Sequence, residues 1–129
     1  MPTLAEITTE TGAWLVKRNL AELPEIVMVR ISDSYAETVE LQLAPFDHLA
    51  GLAAWAEHLV VPIAVRRFDT KEVLQARVET ALPSGYPLVL WNHLPRGDWS
   101  ALEDVTGRRF DSTAVPVDAA AFRQAAERW

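Results

Sequence analysis

The feature that most constrains the fold is a period-two alternation of apolar and polar side chains between Glu25 and Leu43. Val27, Val29 and Ile31 share one side of a first predicted strand, and Val39 to Leu43 alternates in the same way. The second strand is therefore apolar on one face and polar on the other. A sheet with one face exposed to solvent is typical of two-layer folds. This pattern argues against a doubly wound fold, in which both faces are covered.

Helical patterns flank these strands. Thr3 to Glu6 matches a capping box, which predicts a first helix that begins there and ends before Pro24. A second helix is predicted after Pro45, because apolar residues repeat there at intervals of three and four: Leu49, Leu52, Ala53, Ala56, Leu59 and Val60. A short helix is expected from Ser100 to Gly107, and a final amphipathic helix from Asp118 to Trp129.

Three further strands are indicated between the second and the last helices. They are Ile63 to Phe68, a segment beginning at Leu74, and Pro87 to Trp91, joined by short turns that favour a meander. The predicted order is α-β-β-α-β-β-β-α-α. We therefore predict one α+β domain over residues 1–129, with a two-layer arrangement, a mixed or mainly antiparallel sheet of about five strands, and helices on one face.

The second helix is expected to pack on this sheet. The core side chains of this helix are Leu49, Leu52, Ala56 and Leu59. They are expected to face apolar residues of the first, second and fourth strands, namely Val27, Val29, Val39, Leu41 and Val78.

Composition excludes several classes of protein. The chain has no cysteine, so disulfide frameworks, thiolate metal sites and cysteine nucleophiles are excluded. The N-terminus lacks a signal-peptide pattern and no long apolar run is found, which favours a cytoplasmic protein without a membrane contact. A formal charge of −6 disfavours general nucleic-acid binding. Ten of the twelve basic residues are Arg, a bias typical of GC-rich bacterial genomes.

Motifs for catalysis or cofactor binding are absent from the sequence. The five glycines are scattered singly, so there is no phosphate-binding loop, and no serine lies in a nucleophile elbow. His48 and His58 are ten residues apart on one predicted helix and cannot share a metal ion. We therefore expect no cofactor and no metal site, and catalysis has no local support.

One polar and aromatic stretch is a candidate ligand site. Trp91, His93, Arg96, Asp98 and Trp99 follow a predicted central strand and are expected to lie in a loop. Binding groups often converge on such loops. In the alternative interpretation, Arg96 pairs with Asp98 and Trp99 fills the edge of the core.

Five tryptophans exceed what a core of this size usually needs, which indicates a contact surface. At least one of Trp14, Trp55 and Trp129 is expected to be partly exposed, and the predicted interface consists of Trp55, His48, Phe122 and Trp129. The sequence thus favours a non-catalytic bacterial protein-interaction domain, a small accessory or regulatory subunit that contacts a protein partner or a second copy of itself. The alternative is a small-ligand-binding domain or an enzyme that uses Trp91 to Trp99.

Overall fold

The computed structural model describes residues 3–19, 23–31, 38–44, 47–67 and 73–128 of the 129-residue chain. The helices and strands, in chain order, are α1 (Leu4–Asn19), β1 (Ile26–Ile31), β2 (Val39–Leu43), α2 (His48–Leu59), β3 (Ile63–Arg67), β4 (Leu74–Ala81), β5 (Pro87–Leu94), α3 (Arg96–Thr106), β6 (Val115–Val117) and α4 (Ala119–Ala126). None of these described helices combines the length and the apolarity needed to cross a membrane.

The strands form one mixed sheet in the order β1-β2-β5-β4-β3-β6. Strands β2 and β5 run parallel to each other, and every other neighbouring pair is antiparallel. The predicted meander of β3, β4 and β5 is confirmed, because these strands are neighbours in the sheet.

One face of the sheet carries the helices, and we call it the helix face. Leu41 of β2 and Val78 of β4 are fully buried on this face, while the residues between the buried positions remain partly accessible on the opposite, open face. Leu52 of α2 has no exposed surface, and α2 contacts four central strands. The predicted two-layer α+β fold is confirmed.

The predicted capping box starts α1. The backbone N–H of Glu6 donates to the Thr3 hydroxyl at 3.2 Å, and the backbone N–H of Thr3 donates to Glu6 Oε1 at 3.4 Å. These reciprocal bonds satisfy amides that have no partner within the helix. Ile7 and Trp14 bury the inner side of α1.

In the second half of the chain, one strand was not foreseen and the start of one helix was predicted wrongly. Among the described residues the sheet has six strands, compared with the predicted number of about five, because Val115–Val117 pairs with β3 at its edge. This strand was not predicted because it has Pro116 at its centre. Proline argues against a strand except at the edge of a sheet, which is where β6 lies. Helix α3 begins at Arg96, four residues before the predicted Ser100, and Gly107 ends it in the left-handed conformation as predicted.

The expected burial of β1 was also wrong. Val27 is 52% exposed and Val29 is 44% exposed, so neither belongs to the core beneath α2. The register between β1 and β2 shifts between Ile26 and Met28. This shift is a β-bulge in the first residues of β1. The turn predicted at Ser32 to Tyr35 lies outside the described residues.

We predict that Leu52→Ala lowers the free energy of unfolding by about 2–5 kcal/mol, because it leaves a cavity between α2 and the sheet. Urea denaturation followed by circular dichroism measures this loss. A loss below about 0.5 kcal/mol would contradict the packing described for α2.

Candidate functional site

The stretch from Trp91 to Trp99 is not a loop. Strand β5 extends to Leu94, Pro95 is the residue that precedes α3, and Arg96 already lies in the helix. Trp91 and His93 are two residues apart on the open face, with ring centroids separated by 5.0 Å. Asp98 lies in the first turn of α3. The predicted ligand residues therefore do not converge on one site, since Trp91 and His93 lie on the open face and Asp98 lies in α3.

Trp99 fills the edge of the core, as the alternative interpretation expected. Its side chain is 8% exposed, and the guanidinium groups of Arg67 and Arg96 lie 5.0 and 5.9 Å from the centre of its rings. Within the described residues, the buried Nε1–H of Trp99 has no acceptor. The cation–π contacts stabilise this position, since each is worth about 0.5–2 kcal/mol.

His48 and Asp98 come together although they are fifty residues apart in the sequence. His48 follows β2 and Asp98 follows β5, and these are the two parallel strands, so both side chains lie beyond the same edge of the sheet. His48 Nδ1 lies 3.5 Å from Asp98 Oδ2. In open sheets, the carboxyl ends of parallel strands are a common place for ligands.

The surroundings of this pair define its electrostatics. The His48 and Asp98 side chains are 20% and 18% exposed. Burial raises the pKa of the Asp98 carboxyl above its ordinary value, and the nearby His48 opposes that rise. The pair lines a cleft of about 200 Å³, with Leu49 and Ala126 among its apolar walls.

This arrangement can orient an imidazole for proton transfer, which is the usual role of a carboxylate beside a histidine. Across the described part of the chain, no group of three or more His, Asp or Glu side chains is placed to hold a metal ion. The His48–Asp98 pair could not be predicted from the sequence, because the two residues meet only through the parallel pairing of β2 with β5.

The residues of the predicted interface are mostly buried. Trp55 is 2% exposed and Phe122 has no exposed surface. Trp55 stacks on Trp14 with ring centroids 5.7 Å apart, and its Nε1–H donates to the carbonyl of Pro24 at 3.0 Å. Neither Trp55 nor Phe122 has the exposure that a contact surface requires, while His48 belongs to the cleft and Trp129 lies outside the described residues.

Strand β1, which sequence reasoning assigned to the core, exposes three consecutive apolar side chains. Within the described sheet, β1 pairs with β2 on one side and is the last strand on the other. Val27, Met28 and Val29 are 52%, 40% and 44% exposed. The strand reads Ile-Val-Met-Val-Arg-Ile, so Arg30 is its one charged residue.

A groove of about 520 Å³ runs beside this strand on the helix face. Its walls come from α1, from the segment before β1 and from β1 itself, and they include Leu15, Val16, Leu23, Pro24, Ile26 and Val29. Val16 is 70% exposed at the rim. The Nε–H of Arg18, also in the wall, is buried without an acceptor among the described residues. The groove therefore combines apolar walls with two charged residues, Arg18 and Glu25.

The backbone of β1 has groups that point away from the sheet. The N–H of Ala44 donates to the carbonyl of Glu25 at 3.0 Å, which fixes the direction of the polar groups at this end of the ladder. N–H and C=O groups alternate along an antiparallel ladder, and the bulge between Ile26 and Met28 shifts that alternation by one residue. The backbone groups of Val29 and Ile31 therefore point to the free edge. A further strand could pair with them.

Comparison with known proteins adds no family to this description. No protein-family model matches the chain, and no match is found among curated proteins or among solved structures.

We predict that Asp98 titrates above the ordinary aspartate pKa of about 3.9, because its carboxylate is partly desolvated. Carbon-detected NMR of the Asp98 carboxyl group measures the midpoint. His48→Gln should raise that midpoint further, since it removes the nearby charge that favours the carboxylate. An unchanged or lower midpoint in His48→Gln would contradict the described pair.

Proposed function

We propose that this chain is a non-catalytic protein-interaction domain that adds an extended strand of its partner to the free edge of β1. The observation that carries the proposal is the exposure of three consecutive apolar side chains, Val27, Met28 and Val29, on an edge strand. Strand addition of this kind obtains affinity from backbone hydrogen bonds and specificity from pockets for alternate side chains.

The composition of β1 supports this role. Folded proteins usually protect edge strands with lysine, proline or inward-pointing charges, because an open edge pairs with other chains. β1 has a bulge at its start and the single charge of Arg30, but neither lysine nor proline. An apolar edge with so little protection is favoured where pairing is the function.

The groove supports the same role. It lies on the helix face beside Val29, so a strand added to β1 would direct every second side chain toward its apolar walls. The Nε–H of Arg18, which has no acceptor among the described residues, would find one in the carbonyl or side chain of that strand. The partner segment is therefore expected to be extended, with apolar residues at alternating positions.

The composition of the chain supports a bacterial, cytoplasmic setting for this function. A cysteine-free, arginine-rich chain of 129 residues fits a small accessory or regulatory subunit in a bacterial cytoplasm. This setting requires no cofactor.

A second candidate function is supported by the His48–Asp98 pair. A small ligand bound in the cleft of about 200 Å³ would meet an imidazole and a carboxylate at the ends of two parallel strands. Of the predicted ligand residues, this candidate retains Asp98. It is compatible with the first proposal, because the cleft and β1 are formed by different segments of the chain.

The first proposal is tested by selection from a displayed library of random eight-residue peptides. Wild-type protein at submicromolar concentration should enrich peptides with alternating apolar residues. Val29→Pro should abolish the enrichment, because it removes an edge N–H that β2 does not use. Val29→Thr is the matched control, since it keeps the N–H and a β-branched side chain, and it should retain the enrichment.

Circular dichroism and the melting temperature establish that both variants remain folded. Equal enrichment by wild type and Val29→Pro, or no enrichment by either, would contradict strand addition at β1.

A further inference from the structure

We infer that the strand added to β1 is the β1 of a second copy of this chain, paired antiparallel about a two-fold axis at Met28. This inference rests on the proposed function and names its partner. It follows from the distribution of charge along β1 once the bulge is included.

The bulge places Glu25 and Arg30 on the same face of the sheet. Ile26 pairs with Leu43 and Met28 pairs with Gln42, so two β1 residues advance while β2 advances by one. Glu25 precedes this step beside Ala44, and Arg30 pairs with Glu40. Without the extra residue, side chains five positions apart would point to opposite faces.

A two-fold axis perpendicular to the sheet keeps each face on the same side in both copies. With the axis at Met28, the two Met28 residues face each other. Val27 is the extra residue of the bulge and takes no separate position in the ladder, so Val29 lies opposite Ile26 of the second strand. Arg30 then lies opposite Glu25 of the second copy, and the symmetry repeats this pair at the other end of the ladder. The strand is therefore complementary in charge to itself.

Other antiparallel registers lose this complementarity. A shift that centres the axis on Val29 places Arg30 opposite Met28, and a further shift places Arg30 opposite itself. Like charges directly opposite each other destabilise a sheet, whereas opposite charges contribute about 0.2–1 kcal/mol. Charge thus selects the register centred on Met28.

Both charged groups are available for such pairing. The Arg30 side chain is 71% exposed and its Nη1 lies 3.9 Å from Glu40, at the outer limit of an ion pair. Glu25 is exposed. Arg30 can contact both Glu40 and the second copy, because its guanidinium has five donors.

Sedimentation velocity across a concentration series tests the inference with variants of the whole chain. Wild type is expected to form a dimer. Glu25→Arg and Arg30→Glu each place two like-charged pairs in the dimer, and each should raise the dissociation constant at least tenfold. An equimolar mixture of the two variants should form a heterodimer, since both pairs then have opposite charges.

Arg109→Glu is the matched control, because Arg109 is exposed and lies far along the chain from β1. It should leave the dissociation constant within twofold of wild type. The mixture also distinguishes charge repulsion from unfolding of Arg30→Glu, because an unfolded variant would not form the heterodimer.

A wild-type monomer at all concentrations, or a dimer that neither charge reversal weakens, would overturn the inference. So would a mixture that fails to assemble. If peptide selection still depends on the edge of β1 in that case, the proposed function stands with a strand from a different protein. If selection fails as well, both proposals fall.

Discussion

The one-sided sheet is the constraint on which the rest of the structure depends. Six strands spaced about 4.8 Å apart span roughly 24 Å from first to last, whereas a helix with its side chains is only about 10–12 Å wide. Helix α2 packs on the four central strands β2, β3, β4 and β5. Strand β1 lies at the edge of the covered area, where α1 contacts it and leaves a groove beside it. The exposure of β1 follows from this place at the edge of the sheet.

Much of this architecture could be predicted from the sequence because its causes are local. Alternation in β2, the capping box at Thr3 and the 3.6-residue period of α2 each depend on residues within a few positions of one another. Helix α3 begins earlier than expected because Pro95 is the residue before the helix, a position where serine is far more common. Strand β6 has only three residues, too few for a periodic pattern.

The candidate sites were harder to predict because their causes are not local. His48 meets Asp98 only because β2 and β5 are parallel, and nothing near either residue specifies that pairing. Val27 and Val29 have the pattern of a core strand, since the pattern is the same at the centre and the edge of a sheet. At least one of Trp14, Trp55 and Trp129 was expected to be partly exposed; Trp14 and Trp55 stack on each other in the core, and Trp129 lies outside the described residues.

The most direct measurement of the central claim, pairing through the free edge of β1, uses the absence of native cysteine. In Met28→Cys, the two thiols of the inferred dimer would face each other across a pair without mutual hydrogen bonds, where Cα atoms are about 4.5 Å apart and a disulfide can form. Val60→Cys provides the comparison, because Val60 is 87% exposed and lies at the end of α2. Under mild oxidation at equal concentration, Met28→Cys should become a covalent dimer much faster than Val60→Cys. Equal rates for the two variants would contradict the claim.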